Sequence, residues 1–161
     1  MPTINGKACV VNGTPVDKVF SNGVQIYGRN LLGGTSSSEQ SYTGKGDFST
    51  VHGWGGIIAP QVAANAGGTY TYSINLTKLT GSFVLGYWGY DSNKNYTTWF
   101  PGGDYSSLGK VSWTFTVPSS VPYIAPHITS YSDDFACTVK EEKLDKGTIA
   151  TPWTPAPEDV M

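Results

Sequence analysis

The sequence predicts an all-β protein: a two-sheet antiparallel β-sandwich of jelly-roll type, preceded by a short N-terminal β-hairpin element. Three observations predict it. The 161 residues include 20 Gly and 10 Pro but few strong helix formers, the profile of a chain cut by many turns. Residues 69–76 alternate strictly, with Tyr70, Tyr72, Ile74 and Leu76 against Thr69, Thr71, Ser73 and Asn75, which is the period of a half-buried strand. Segments of this kind recur at sandwich spacing, with turn residues between them and no helix of ordinary length.

Taken in order, residues 1–28 form a small β element. Residues 7–11 read as a strand and Asn12-Gly13 as a turn; residues 16–20 and 24–27 then pair around Ser21-Asn22-Gly23. This element is too short to hold a core and must lean on the rest of the chain. Residues 29–161 form the main module, entered through the polar connector 33–40. Its strands are expected at 51–59, broken by Gly53, Gly55 and Gly56, then at 69–76, in the hairpin 83–100, and at 110–117. In 110–117, Val111, Trp113, Phe115 and Val117 alternate with Ser112, Thr114 and Thr116. Residues 121–131 form a further strand, whose Pro122 and Pro126 suit an edge or a bulge. The last strand, 135–144, turns Phe135, Cys137 and Val139 inward before the charged run 140–143. The proline-rich tail 151–159 is extended and pinned by Trp153.

The hairpin 83–100 stands out. Its first arm places Phe83, Leu85 and Tyr87 on one face and Val84, Trp88 and Tyr90 on the other, so both faces are aromatic. A half-buried strand needs one apolar face, and the second is either another buried interface or a platform for a ligand. The returning arm sets Thr97 and Trp99 against Tyr96, Thr98 and Phe100, and Asp91, Asn93 and Asn95 occupy the turn between the arms.

Composition narrows the partners. Charged residues make up 14% of the chain and the net charge is −2, which gives no footprint for nucleic acid. Between residues 53 and 109 the charged residues are Lys78, Asp91, Lys94 and Asp104, a middle that suits a neutral or weakly charged polar ligand. No apolar run approaches the ~18 residues of a membrane span, and the first residues lack the basic-then-apolar order of a signal peptide. Cys9 and Cys137 admit either one disulfide or two buried free thiols. Two Cys and two His without close spacing do not make a zinc site.

Two stretches carry a resemblance. One is Val16-Asp17-Lys18-Val19-Phe20-Ser21-Asn22-Gly23, continuing into Tyr27-Gly28-Arg29-Asn30-Leu31-Leu32. The other is Lys143-Leu144-Asp145-Lys146-Gly147 with Ala150-Thr151-Pro152-Trp153-Thr154-Pro155-Ala156-Pro157-Glu158-Asp159. They resemble the opening and closing segments of carbohydrate-binding modules in tail and baseplate proteins of phages infecting lactic-acid bacteria, the evolved distal tail proteins and tail-associated lysins. The closing segment there commonly reads K-L-E-K-G, so Asp145 departs from it mildly. The resemblance implies a module on the virion tail tip that binds host cell-wall polysaccharide, attaches the particle to a Gram-positive cell and contacts other tail or baseplate subunits. The alternative is a structural decoration or spacer domain packing against those subunits. The resemblance supplies no binding residues, because residues 42–131 match no motif of the family.

Binding residues come instead from sugar chemistry: rings stack on C–H faces and polar side chains bond the hydroxyl rim. The preferred site is a platform of Trp88, Tyr90 and Trp99 rimmed by Asp91 and Asn93, although any one ring is equally suited to the core. Trp54 and His52, in the glycine-rich stretch 52–56, are a second group of candidates. Tyr123 and His127, in phase on one strand, either line the same surface or form a solvated face. Trp113 reads as core, Trp153 as an anchor for the tail, and Arg29 and Asn30 as structural.

The chain is not expected to be an enzyme. Adjacent Asp133 and Asp134 point to opposite faces of a strand and cannot flank a glycosidic bond. Asp91 and Asp104 read as turn formers, and there is no nucleophile-elbow sequence. Asp47, Asp133 and Asp134 lack calcium-loop spacing, so neither a metal nor a cofactor is expected.

Overall fold

The computed structural model describes residues 9–51 and 61–160. Two small hairpins open it, β1 (Val10–Val11) with β2 (Thr14–Pro15) and β3 (Lys18–Ser21) with β4 (Val24–Gly28). Asn22 and Gly23 both take positive φ, 50° and 78°, the pair that a two-residue type I′ turn requires.

Beyond them lie two antiparallel sheets, packed face to face. One has the order β11 (Gly109–Thr116), β8 (Thr69–Thr80), β13 (Ala136–Lys146), β5 (Gln40–Thr43). The other has the order β10 (Tyr96–Tyr105), β9 (Phe83–Tyr90), β12 (Tyr123–Ser130), β6 (Gly46–Phe48), with the two-residue β7 (Val62–Ala63) also paired to β12. Counting the described strands from β5 and leaving out β7, the first, eighth, third and sixth face the second, seventh, fourth and fifth. Consecutive strands therefore often lie in opposite sheets, and most of the pairing is long-range.

The alternation in β8, β9 and β11 decides what lies between the sheets. Tyr70, Tyr72, Ile74 and Leu76 of β8 meet Phe83, Leu85 and Tyr87 of β9, Ile124 and Ile128 of β12, and Val111 and Phe115 of β11. Tyr87 stacks on Phe100 at 4.6 Å and lies 4.6 Å from Phe115, which in turn is 4.5 Å from Trp113. Each fully buried ring contributes about 2–3 kcal/mol. Trp113 thus belongs to the core, as its strand period requires.

Three expectations need correction. The sequence pattern shows no strand between the connector and residue 51, yet β5 and β6 lie at 40–48; their few apolar residues and interrupting Gly44 and Gly46 hide the period. The strand expected at 51–59 falls, except for Val51, outside the described residues. β12 is not an edge: β9 pairs along one side, and β6 and β7 share the other. Pro126 is accommodated because, among the described residues, β7 stops opposite Ile124 and β6 begins opposite Ile128, leaving a gap beside it.

The charged run is the third correction: the sequence turns inward only the residues up to Val139, yet Glu142 and Lys143 of the run, and Asp145 just beyond it, are fully buried. A bulge in β13, with Glu141 at φ 56°, shifts the register between Lys140 and Lys143. Glu142 consequently accepts hydrogen bonds from the hydroxyls of Ser49, Thr50 and Tyr72 and from the Thr50 amide. Lys143 and Asp145 lie on the outer side, under the tail. Lys143 Nζ donates to Thr151 Oγ1 at 2.6 Å and to the Pro152 carbonyl at 2.8 Å, and Thr151 Oγ1 donates to Asp145 at 2.7 Å. Burial pushes Lys143 down to about 8 and Asp145 up, even though their side chains are 3.6 Å apart.

Asn30 ties the beginning of the module to its end. Its amide nitrogen donates to Thr35 and to the carbonyls of Glu142 and Thr154, while its oxygen accepts from the amides of Leu32 and Leu144. Arg29 pairs with Glu158 and Asp17, and Trp153 Nε1 donates to Thr35. Arg29, Asn30 and Trp153 are therefore structural. The tail is extended apart from one 3-10 turn, Pro157–Asp159, and it crosses the outer face of the four-stranded sheet.

Candidate binding groove

The outer face of the other sheet, across the sandwich from the tail, carries the aromatic residues of the hairpin. Register puts them there. Trp99 of β10 sits directly opposite Trp88 of β9, Tyr96 opposite Tyr90, and Tyr90 opposite Tyr123 of β12. Strict alternation would place Tyr96 on the other face from Trp99. A bulge between Tyr96 and Thr98 brings both outward, and Thr97 Oγ1 closes it by donating to the Gly89 carbonyl at 2.9 Å. Gly86 lets Trp99 lie close to the sheet: a Cβ there would be 2.8 Å from Trp99 Nε1 and 3.0 Å from the Phe100 carbonyl oxygen.

A groove of about 310 Å³ lies on this face, lined by Asp47, Trp88, Tyr96, Trp99, Thr129 and Tyr131. Two ring pairs are edge-on, Trp88 with Tyr96 at 6.0 Å and 75°, and Trp99 with Tyr131 at 6.3 Å and 78°. Tyr96 and Tyr131 are 58% and 65% exposed, far more than a core ring would be. Asp47 enters because β6 pairs with β12, which sets it opposite Thr129; Thr129 Oγ1 donates to Asp47 Oδ1 at 2.5 Å. Among the described residues no donor reaches Asp47 Oδ2.

His127 lies beneath, with no exposed surface, 5.1 Å from Trp88 between ring centres. Its Nδ1–H donates to the Ala125 carbonyl at 3.0 Å, so the neutral ring turns the bare Nε2 toward Asp47, 3.7 Å away. Burial holds its pKa below the usual histidine range, outweighing the Ala125 bond and the Asp47 charge. The Asp47 charge therefore has no cationic partner among the described residues.

The predicted site residues separate accordingly. Trp88 and Trp99 line the groove. Tyr90 does not: it is 6% exposed, packs with Ala125, and meets Tyr96 edge-on at 6.3 Å, so it supports the rings from behind. Tyr123 is half-buried at that same end, with Lys94 Nζ 5.1 Å over its ring. Asp91 and Asn93 are not in the lining. Asp91 accepts from the Asn93 and Asn95 amides and the Asn95 side chain, which holds the turn and lowers its pKa. His127 is a buried support and not a contact. His52 and Trp54 lie outside the described residues.

Sequence reasoning missed Asp47, Tyr96, Thr129 and Tyr131. Tyr96 needed the bulge, and the others needed the β6–β12 and β9–β12 registers, which no local pattern discloses. No cluster of three or more His, Cys, Asp or Glu suited to a metal occurs among the described residues. No protein-family model matches the chain, and no curated protein matches it.

Proposed function

We propose that the protein is a non-catalytic carbohydrate-binding module of a phage tail or baseplate, which attaches the virion to saccharides of a Gram-positive cell wall. The observation that carries this reading is the groove itself. Four aromatic rings and two hydrogen-bonding side chains, Asp47 and Thr129, converge on the outer face of a sheet whose inner face already has a complete core. Tyr96 and Tyr131, more than half exposed there, are not needed to fill that core. The strand order, with its repeated crossing between sheets, supports the jelly-roll type expected from the sequence.

A single stacking contact contributes about 1 kcal/mol beyond burial, so one groove binds weakly and firm attachment comes from many copies on a symmetric tail tip. A fluorescent fusion of the module should label host cells and lose that labelling when wall polysaccharide is stripped. Equal labelling of stripped cells would refute the reading.

One observation favours a second role, as a domain packing against other tail subunits. On the N-terminal hairpins Val11, Phe20 and Val24 are 45%, 59% and 64% exposed. None of these apolar side chains lines the groove, and they suit a neighbouring subunit more than a sugar. Self-association or capture of purified tail subunits, abolished by Phe20→Ser and unaffected by Trp99→Ala, would assign it that role.

A further inference from the structure

A flat sugar-stacking platform needs rings side by side in one plane. This groove has instead two pairs of nearly perpendicular rings and a carboxylate with a free oxygen at its edge. Within each edge-on pair the rings differ in direction by 75–78°, so the groove is walled by rings at several angles, and a ring face left open to it attracts a compact cation. The charges agree. Among the described residues Asp47 is the one charged group of the lining, no Lys or Arg shares the groove, and the buried His127 offers Asp47 a bare ring nitrogen. The Tyr131 hydroxyl has its pKa raised first by loss of solvent and then by the charges of Asp47 and Asp104.

Resting on the saccharide reading above, we infer that the groove takes a saccharide unit bearing a free ammonium group, with the cation among Trp88, Tyr96, Trp99 and Tyr131 and within reach of Asp47 Oδ2. The sugar ring supplies the C–H face for one tryptophan. The ammonium supplies three donors, of which Asp47 takes one and the ring faces accommodate the rest. An acetylated amine carries no charge and adds bulk, so it fits the same place less well.

The test is titration of tryptophan fluorescence with fully deacetylated glucosamine oligomers and with N-acetylglucosamine oligomers of equal length, at mildly acidic pH where the amine is charged. The deacetylated ligand should bind about two- to fivefold tighter, the worth of one exposed cation–π contact. Asp47→Asn, which keeps the shape and an acceptor for Thr129, should lower the ratio of the two affinities measured on the same variant. Tyr131→Leu, at an exposed ring outside the core, should reduce it and serves as the check if Asp47→Asn folds poorly. Equal affinity for the two ligands, or a preference that survives both substitutions, overturns the inference. It is likewise overturned, with the saccharide reading intact, if neutral wall polysaccharide binds and amine-bearing oligomers do not.

Discussion

Trp88 and Trp99 are direct cross-strand partners on β9 and β10, yet they stand on different supports. Trp99 lies against Gly86 with its indole N–H turned into the sheet and unpartnered among the described residues, whereas Trp88 covers His127 and Ala125. Trp99→Ala should therefore remove the fluorescence response to cell-wall saccharide with little change in thermal midpoint. Trp88→Ala should remove the same response and also cost about 1–3 kcal/mol, because it uncovers buried groups. Saccharide titration beside urea unfolding separates the two effects. An unchanged saccharide response in both variants would take the groove out of binding altogether.

Glu142 gives a prediction about stability alone. Its carboxylate is an acceptor for Ser49, Thr50 and Tyr72, all donors. Glu142→Gln keeps the volume but turns an NH2 toward those donors, and it should destabilise the fold by about 2–4 kcal/mol in urea unfolding. Tyr72→Phe should cost less, because the other donors remain.

His127 predicts a pH dependence. Its folded pKa is lowered from 6.5, so on acidification the unfolded chain takes up a proton before the folded one does. Stability should then fall as pH drops through the unfolded value of 6.5, and should not change from this source above it. His127→Asn retains a donor for the Ala125 carbonyl and should flatten that part of the curve of thermal midpoint against pH.

Cys9 and Cys137 are free and buried, which decides between the two states that the sequence allows. Burial pushes the Cys137 thiol up to about 12 and raises Cys9 as well. Neither thiol should react with a disulfide reagent in the folded protein at neutral pH, and both should react in denaturant. A reducing agent should leave the thermal midpoint where it was.

The sequence disclosed those parts of the molecule whose side-chain period is clean. The alternation of Tyr70, Tyr72 and Ile74 and of Val111, Trp113 and Phe115 marks β8 and β11 without help from the rest of the chain. The aromatic hairpin is legible for the same reason, including the outward pair Trp88 and Trp99. Asp47 is not, because it stands about forty residues before Trp88 and reaches the groove only through the pairing of β6 with β12. The charged run 140–143 misleads, because a β-bulge and a covering tail bury charges that composition assigns to solvent.

The place of β13 has a consequence for how the chain is made. It comes last in chain order among the described strands, yet it lies in the middle of its sheet, between β8 and β5, and β5 has no other strand partner among the described residues. Asn30 likewise waits for Leu144 and Thr154, more than a hundred residues later, before its bonds can form. A chain emerging from the ribosome can form β9 with β10 early, but it cannot close the sandwich until β13 and the tail are free. Until then the core faces of β8 and β9 are uncovered, and a stalled or truncated product would be trapped by aggregation and not merely weakened in binding.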